Sequence, residues 1–299
     1  MKRLTFAVIG LTGLALLAGT PVQASDRHPE RSYPVEAKDS VHKVLKFETP
    51  GKPGTVSLDN VWGSIRVEAA SGDEVDLSAA RTIRAESREK IEQAKAEVKL
   101  DITVKGGTID VYVDGPFRCD CPEGRGRKDR ELGYEPVYDF VLKVPPAVRV
   151  SLKTVTGGDI LVKGVQGGFD VHNVNGKVEL VDVAGSGEAG TVNGAVTADF
   201  VRAPETDCKF STINGRVELG FPSGLSADFK LKTFNGEALS DFEVKTLPVK
   251  VESKPAETRK GKFVYRRDHF TQVRTGQGGP VITCDTLNGD IIIRKYKAR

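Results

Sequence analysis

The sequence predicts a mostly β protein, a β-solenoid-like repeat of short strands with Asn-Gly corners, plus one short helix near residues 85–96. Three observations carry this. Glycine is in excess, 32 of 299 residues against about 21 at an ordinary frequency near 7%. Apolar and polar residues alternate with period two through most of the chain, the signature of half-buried strands. A Thr/Asn–apolar–Asn-Gly unit then recurs along the second half.

From the N-terminus, Lys2 and Arg3 precede the apolar run Leu4–Ala18, and Val22-Gln23-Ala24 places small residues before Ser25. This pattern reads as a signal peptide over residues 1–24. The run is shorter than the ~20 residues of a membrane span, so the mature chain is expected to carry no transmembrane span and to be periplasmic or extracellular. Residues 25–42 are polar with two prolines and read as a flexible leader. The remainder, 43–299, reads as a single β-repeat domain, with repeats at about 150–240 and 281–295 and an insert at 241–280.

Thr55–Leu58, Ser64–Glu68 and Val75–Ser78 alternate as strands, with glycine-bearing turns between them. Residues 85–96 (AESREKIEQAKA) lack Gly and Pro and offer Ser87 as an N-cap, so they read as a helix with one face on a sheet. Strands resume at Val98–Val104 and Thr108–Val113. Residues 115–136 form a long loop with a diluted basic cluster.

The repeat follows. Its corners are Asn175-Gly176, Asn193-Gly194, Asn214-Gly215, Asn235-Gly236 and Asn288-Gly289, preceded by the degenerate Thr154-Val-Thr-Gly157. The Gly-to-Gly steps are 19, 18, 21 and 21 residues, then 53. Flanking columns match: Val178, Val196, Val217, Ala238 and Ile291 stand two residues after each glycine, and Val171, Ala189, Phe210, Leu231 and Cys284 five before. Asn-Gly between alternating strands is also a strong hairpin signal, which would give an antiparallel meander. A fixed period near 20 favours stacked units instead, with the Asn side chains in a hydrogen-bonded ladder and Thr and Asn projecting from the same side.

These Thr-x-Asn-Gly repeats resemble the bacterial β-strand-repeat family labelled "putative adhesins", an exported domain of unknown function. The resemblance spans roughly residues 45–295. It implies an exported, solenoid-like, non-catalytic protein, and leaves the loop 118–131 and the insert 241–280 as this chain's own departures.

Composition narrows the function classes. Basic and acidic residues number 44 and 41, a near-balance unlike the basic excess of nucleic-acid binders. The four histidines, His28, His42, His172 and His269, lack metal-ligand spacing. No nucleophile, zincin or phosphate-loop motif occurs, so catalytic, cofactor and metal residues are all expected to be none. Cys119-Asp-Cys121 reads as a possible disulfide pair in an exported chain. Cys208 and Cys284 fall in apolar columns of non-adjacent units and read as buried thiols.

The functional expectation is an adhesin-like envelope or surface protein that presents a rigid β-repeat face to an unidentified glycan or protein ligand. Loop 115–136 and insert 241–280, including the aromatic segment 262–273, are the expected carriers of specificity. The alternatives are a structural or regulatory envelope protein that binds a partner protein, and a polysaccharide-cleaving enzyme.

Overall fold

The computed structural model describes residues 33–49, 51–118, 132–248, 257–259, 262–264 and 270–297. The expected signal peptide and the Cys119–Cys121 pair lie outside the described residues.

The first part of the chain forms β1 (Val35–Lys46), β2 (Thr55–Asp59), β3 (Ile65–Ala69) and β4 (Glu74–Ala85). After α1 (Arg88–Glu97) come β5 (Lys99–Lys105), β6 (Thr108–Asp114) and β7 (Tyr134–Val144). The repeats supply β8 (Arg149–Lys153), β9 (Ile160–Lys163), β10 (Phe169–His172), β11 (Val178–Val183), β12 (Gly187–Gly190) and β13 (Val196–Phe200). They continue as β14 (Cys208–Ser211), β15 (Val217–Phe221), β16 (Ala227–Asn235) and β17 (Ala238–Ser240). Last are β18 (Lys245–Thr246), the hairpin strands β19 (Glu257–Arg259) and β20 (Lys262–Val264), then β21 (Thr271–Thr275), β22 (Val281–Asn288) and β23 (Ile291–Lys295).

These strands make two large sheets, neither closed into a barrel. One has ten strands in the order β1-β4-β7-β3-β9-β11-β13-β15-β23-β17; the other has eleven, in the order β18-β21-β16-β22-β14-β12-β10-β8-β2-β6-β5. Each Asn-Gly corner passes the chain from the eleven-stranded sheet to the ten-stranded one. Strands flanking a corner therefore do not form a hairpin. β10 pairs in parallel with β8 and β12, and β11 with β9 and β13. Equivalent residues sit opposite each other: Val178 faces Val196, which faces Val217, which faces Ile291.

The alternating pattern explains the core. Inward columns from both sheets are fully buried, among them Val56, Leu58, Ile65, Val67, Val150, Leu152, Val196 and Leu219. Phe169, Phe200, Phe210, Phe221 and Phe229 form a chain of ring contacts with neighbouring centroids 4.9–6.3 Å apart. Each such ring contributes about 1.5–3 kcal/mol by leaving water.

Two units leave chain order. The β6/β7 unit follows β2/β3 in sequence but packs outside it, next to β4 and β5. The final β22/β23 unit inserts between β14/β15 and β16/β17. Residues 241–280 are thus more than an insert: Thr271–Thr275 pairs antiparallel with β16, and the segment as a whole returns the chain to an interior position. Arg294 fastens the inserted unit, reaching Glu218 at 2.8 Å and Asp199 at 2.6 Å.

This insertion corrects the placement of the cysteines. Cys208 and Cys284 lie on adjacent strands, because β22 packs on β14. Both thiols are free and buried. Their register (Cys208 opposite Ile282, Cys284 opposite Phe210) makes them diagonal neighbours, about 7–8 Å apart and beyond disulfide reach. Burial pushes both thiols above their ordinary range.

The N-terminal end also differs from expectation. Val35–His42, assigned above to a flexible leader, belong to β1, which pairs with β4 over its full length. Alternation there is weak because β1 is an edge strand with no fully buried position, and Lys38, Lys43 and Lys46 blunt that edge. Helix α1 begins at its Ser87 cap, whose side chain accepts from the Lys90 N–H at 3.3 Å, and it buries Ile91 and Ala94.

Candidate functional site

The edge where the chain crosses between sheets at the Asn-Gly corners repeats the same contacts from unit to unit. Its glycines are enforced by stacking. A Cβ on Gly194 would lie 2.3 Å from the Gly176 carbonyl oxygen, one on Gly215 1.9 Å from that of Gly194, and one on Gly289 2.1 Å from that of Gly215. One on Gly236 would meet the Gly289 oxygen at 2.1 Å. Close approach of neighbouring corners, more than backbone conformation alone, is what excludes a side chain.

The same carbonyls explain the Thr column. Thr191 donates its hydroxyl to Gly176 O at 2.8 Å, Thr212 to Gly194 O at 2.9 Å, Thr286 to Gly215 O at 2.9 Å and Thr233 to Gly289 O at 2.8 Å. Thr191, Thr212 and Thr286 are buried. The expectation of Thr and Asn projecting from one side is therefore corrected: Thr turns inward to satisfy a corner carbonyl that would otherwise be orphaned, and Asn faces out.

The Asn side chains are bonded to one another. Asn193 Nδ2 donates to Asn175 Oδ1 at 2.8 Å, and Asn214 Nδ2 to Asn193 Oδ1 at 2.7 Å. Asn288 Nδ2 donates to Asn214 Oδ1 and Asn235 Nδ2 to Asn288 Oδ1, both at 2.7 Å. Behind them Gly176, Gly194, Gly215 and Gly289 donate their N–H groups to the carbonyls of Asn193, Asn214, Asn288 and Asn235.

Between the Thr and Asn columns stands an apolar residue at every corner. In spatial order these are Val61, Val155, Val174, Val192, Ile213, Leu287 and Phe234. Backbone hydrogen bonds link the first six corners, and the register of β16 on β22 sets Phe234 beside Leu287. Val61, Val174 and Val192 are half-buried and Val155 is 38% exposed, whereas the last three are the most exposed: Ile213 45%, Leu287 46% and Phe234 78%. With strands about 4.8 Å apart, six steps make a ridge of about 29 Å. Beside its larger end lies an open groove of about 430 Å³, lined by Ser211, Ile213, Lys232, Phe234, Asp285 and Leu287 among others. Charges flanking the ridge are largely paired: Lys177 with Glu179 at 2.9 Å, Arg216 with Glu218 at 3.2 Å, and Lys232 with Asp285 at 3.7 Å. The hydrogen bond to Glu179 is the main cause that raises the Lys177 ammonium above its ordinary value.

Both segments expected to carry specificity open on this same edge. β6 runs parallel to β2 and ends at the corner side, so the chain leaves the described residues after Arg118 there and returns at Leu132. Phe117 packs edge-on against Trp62 at 4.8 Å, and Arg118 binds Asp59 at 2.7 Å while lying over the Tyr112 ring. At the other end β21 runs antiparallel to β16, so Phe270 enters from the corner side, where its ring lies 5.3 Å from the Lys232 ammonium. Phe117 and Arg118 thus stand at one end of the ridge and Phe270 at the other. Of segment 262–273, residues 265–269 lie outside the described residues.

Sequence reasoning missed one corner altogether. Asn60-Val-Trp-Gly63 occupies the position of a repeat corner beside Thr156. Its columns were there to find: Val56 and Leu58 stand seven and five residues before Gly63, and Ile65 and Val67 two and four after, all buried. Trp62 in place of Asn hid the match. The apolar corner residue was part of the motif, but its exposure was not foreseen. Of the histidines, His42 contacts Asp76 and His172 contacts Asp170, each at 2.8 Å. Among the described residues no three His, Cys, Asp or Glu side chains gather as a metal site, and no helix is long and apolar enough to cross a membrane.

No family model and no curated protein matches the chain. Among solved structures, a "putative cell adhesion protein" from Clostridium sporogenes superposes with a TM-score of 0.43 at 10% identity, covering 87% of this chain and 100% of that one. A "putative adhesin" from Bacteroides fragilis gives 0.37 at 10% identity over 87% and 98% of the two chains. Another "putative adhesin", from Parabacteroides distasonis, gives 0.21 at 10% identity over 86% and 97%. A "putative lipid binding protein" from Parabacteroides distasonis gives 0.22 at 12% identity over 87% and 97% of the two chains.

Proposed function

We propose that this chain is an exported, non-enzymatic binding protein of adhesin type, and that its contact surface is the Asn-Gly corner edge. In this reading the two sheets are the faces of a solenoid, residues 1–24 direct export, and the Asn ladder of Asn175, Asn193, Asn214, Asn288 and Asn235 with its glycines stiffens the edge. The observation that carries the proposal is the apolar ridge from Val61 to Phe234, held by hydrogen bonds on both flanks, with Phe117 and Arg118 at one end and Phe270 at the other. Contiguous exposed apolar surface, here Ile213, Leu287 and Phe234 at one end of the row, marks interaction sites.

The chemistry of the row favours the protein-binding version of this function over the glycan-binding one. Sugar-binding surfaces present aromatic faces, whereas five of the seven ridge residues between Val61 and Phe234 are Val or Ile and a sixth is Leu. The test is capture of envelope and surface fractions by the intact mature chain, compared with the double variant Ile213→Ser, Phe234→Ser and with a chain lacking 119–131. Binding that falls at least tenfold in the double variant, to a protein component, supports the proposal. Unchanged binding in both variants overturns the assignment to this edge, and retention on purified glycans alone moves the ligand class to sugar.

A further inference from the structure

The five Asn-Gly pairs share a sequence but not an environment. At Asn175, Asn193, Asn214 and Asn288 three restraints act together: the side-chain nitrogen donates, the side-chain oxygen accepts, and the following glycine N–H is bonded to the next corner's carbonyl. At Asn235, the last corner of the stack, only the nitrogen is engaged, in its bond to Asn288. Among the described residues nothing donates to Asn235 Oδ1 and the Gly236 N–H has no acceptor. Gly236 is exposed, whereas the other four corner glycines are partly covered.

We propose that Asn235-Gly236 is a site of spontaneous deamidation, and that the stack protects the other four pairs. The Gly236 nitrogen loses its proton to water or hydroxide and attacks Asn235 Cγ. A C–N bond forms, and Nδ2 leaves as ammonia once protonated. The resulting five-membered succinimide takes up one water, which opens it either to aspartate or to isoaspartate, with the chain then running through the side-chain carboxyl. One water is consumed and one ammonia released, with no redox change. An unhindered glycine nitrogen is the nucleophile, so a bonded N–H and a clamped amide both block the step.

The product acts on the terminal unit. A carboxylate at 235 cannot donate to Asn288 Oδ1 and places like partial charges opposite each other. Isoaspartate adds a backbone carbon between β16 and β17. The three-residue strand β17, exposed along its length, depends on that corner for its register on β23. Phe234, the largest and most exposed residue of the ridge, adjoins it. This inference stands independently of the binding proposal.

The experiment is incubation of the intact chain at mildly alkaline pH, with time points digested and mapped by mass spectrometry that resolves isoaspartate. The folded protein should convert at Asn235 at least tenfold faster than at Asn175, Asn193, Asn214 or Asn288, and the denatured chain should convert all five within about threefold of one another. The variant Asn288→Ala removes the one hydrogen bond that the Asn235 side chain makes among the described residues. It should accelerate conversion at Asn235 severalfold while leaving Asn214 slow, because Gly215 still donates to the carbonyl of residue 288. Equal rates at the five sites in the folded chain, or protection at Asn235, overturn the proposal.

Discussion

Between Arg149 and Phe221 the order of units along the chain is also their order in space, and at both ends it is not. In the central stretch β8/β9 through β14/β15 stack in sequence, each one built on the last. At the N-terminal end β6/β7 lies outside β2/β3, which precede it, and at the C-terminal end β22/β23 lies inside β16/β17. Local chemistry does not register the difference. Thr286 bonds the Gly215 carbonyl just as Thr212 bonds that of Gly194, although 71 residues separate the first pair and 18 the second. The rules of the repeat are rules between spatial neighbours, indifferent to connection. Where the ends differ is in their covering: antiparallel strands and α1 close one end, and antiparallel β18 and β21 the other.

Several perturbations break or sharpen this contrast. The largest effect is expected from deleting residues 281–299. In a stack built in chain order this would trim an end; here it removes an interior unit and exposes β15 and β14 on one side and β16 and β17 on the other. Loss of a cooperative thermal transition, with hydrogen exchange opening back to β14/β15, is the expected result. A transition shifted only slightly would contradict the insertion.

Next is Gly215→Ala, which places a Cβ 1.9 Å from the Gly194 carbonyl and should cost about 3 kcal/mol or more by displacing backbone. Gly224→Ala, with nothing within 4 Å, should stay within about 0.5 kcal/mol. Denaturant midpoints compare the two. Thr212→Val leaves a buried carbonyl without its partner and should cost about 1–2 kcal/mol, whereas Thr233→Val, at the less covered last corner, should cost less. Equal costs would mean that the terminal unit is as well packed as the centre.

Arg294→Ala should destabilise by about 1 kcal/mol, since the pair is part-exposed and screened. Its effect should concentrate in exchange of β23 with little change in β11.

The smallest effects are in titration. Its hydrogen bonds to Arg274 hold the Asp228 carboxyl below the ordinary carboxylate range. That contribution to stability is present above the unfolded value and lost as pH falls through the lower folded one. Burial pushes Asp199 the other way, with Arg294 opposing it, so its contribution is present at low pH and lost as pH rises through its raised value. Carboxyl resonances followed through pH should show Asp228 titrating below Asp199, and the reverse order would discount the burial of Asp199.

Much of the unit was legible beforehand. Period-two columns such as Val178, Val196, Val217 and Ile291 predicted buried strands in register, and all four are fully buried. Ser87 marked the helix start. The inward turn of Thr was not legible, because its reason is a carbonyl on a neighbouring unit and not a contact along its own chain. The Asn60–Gly63 corner was obscured by a single aromatic residue, and the exposure of Ile213, Leu287 and Phe234 depends on how tightly the corner turns. The cysteines were misjudged by counting units in sequence, which fails where β22 inserts beside β14.

What the sequence determined by itself is the repeating unit: alternation buries one face of each short strand, and glycine permits corners to stack at strand spacing. What only the tertiary structure decided is the order of those units and the surface they expose. The physical reason is that every unit offers its neighbour the same carbonyl, the same amide and a similar apolar column. Any of them fits any place, and the connection of 40 residues between β17 and β22, 241–280, is long enough to let the last one settle inside.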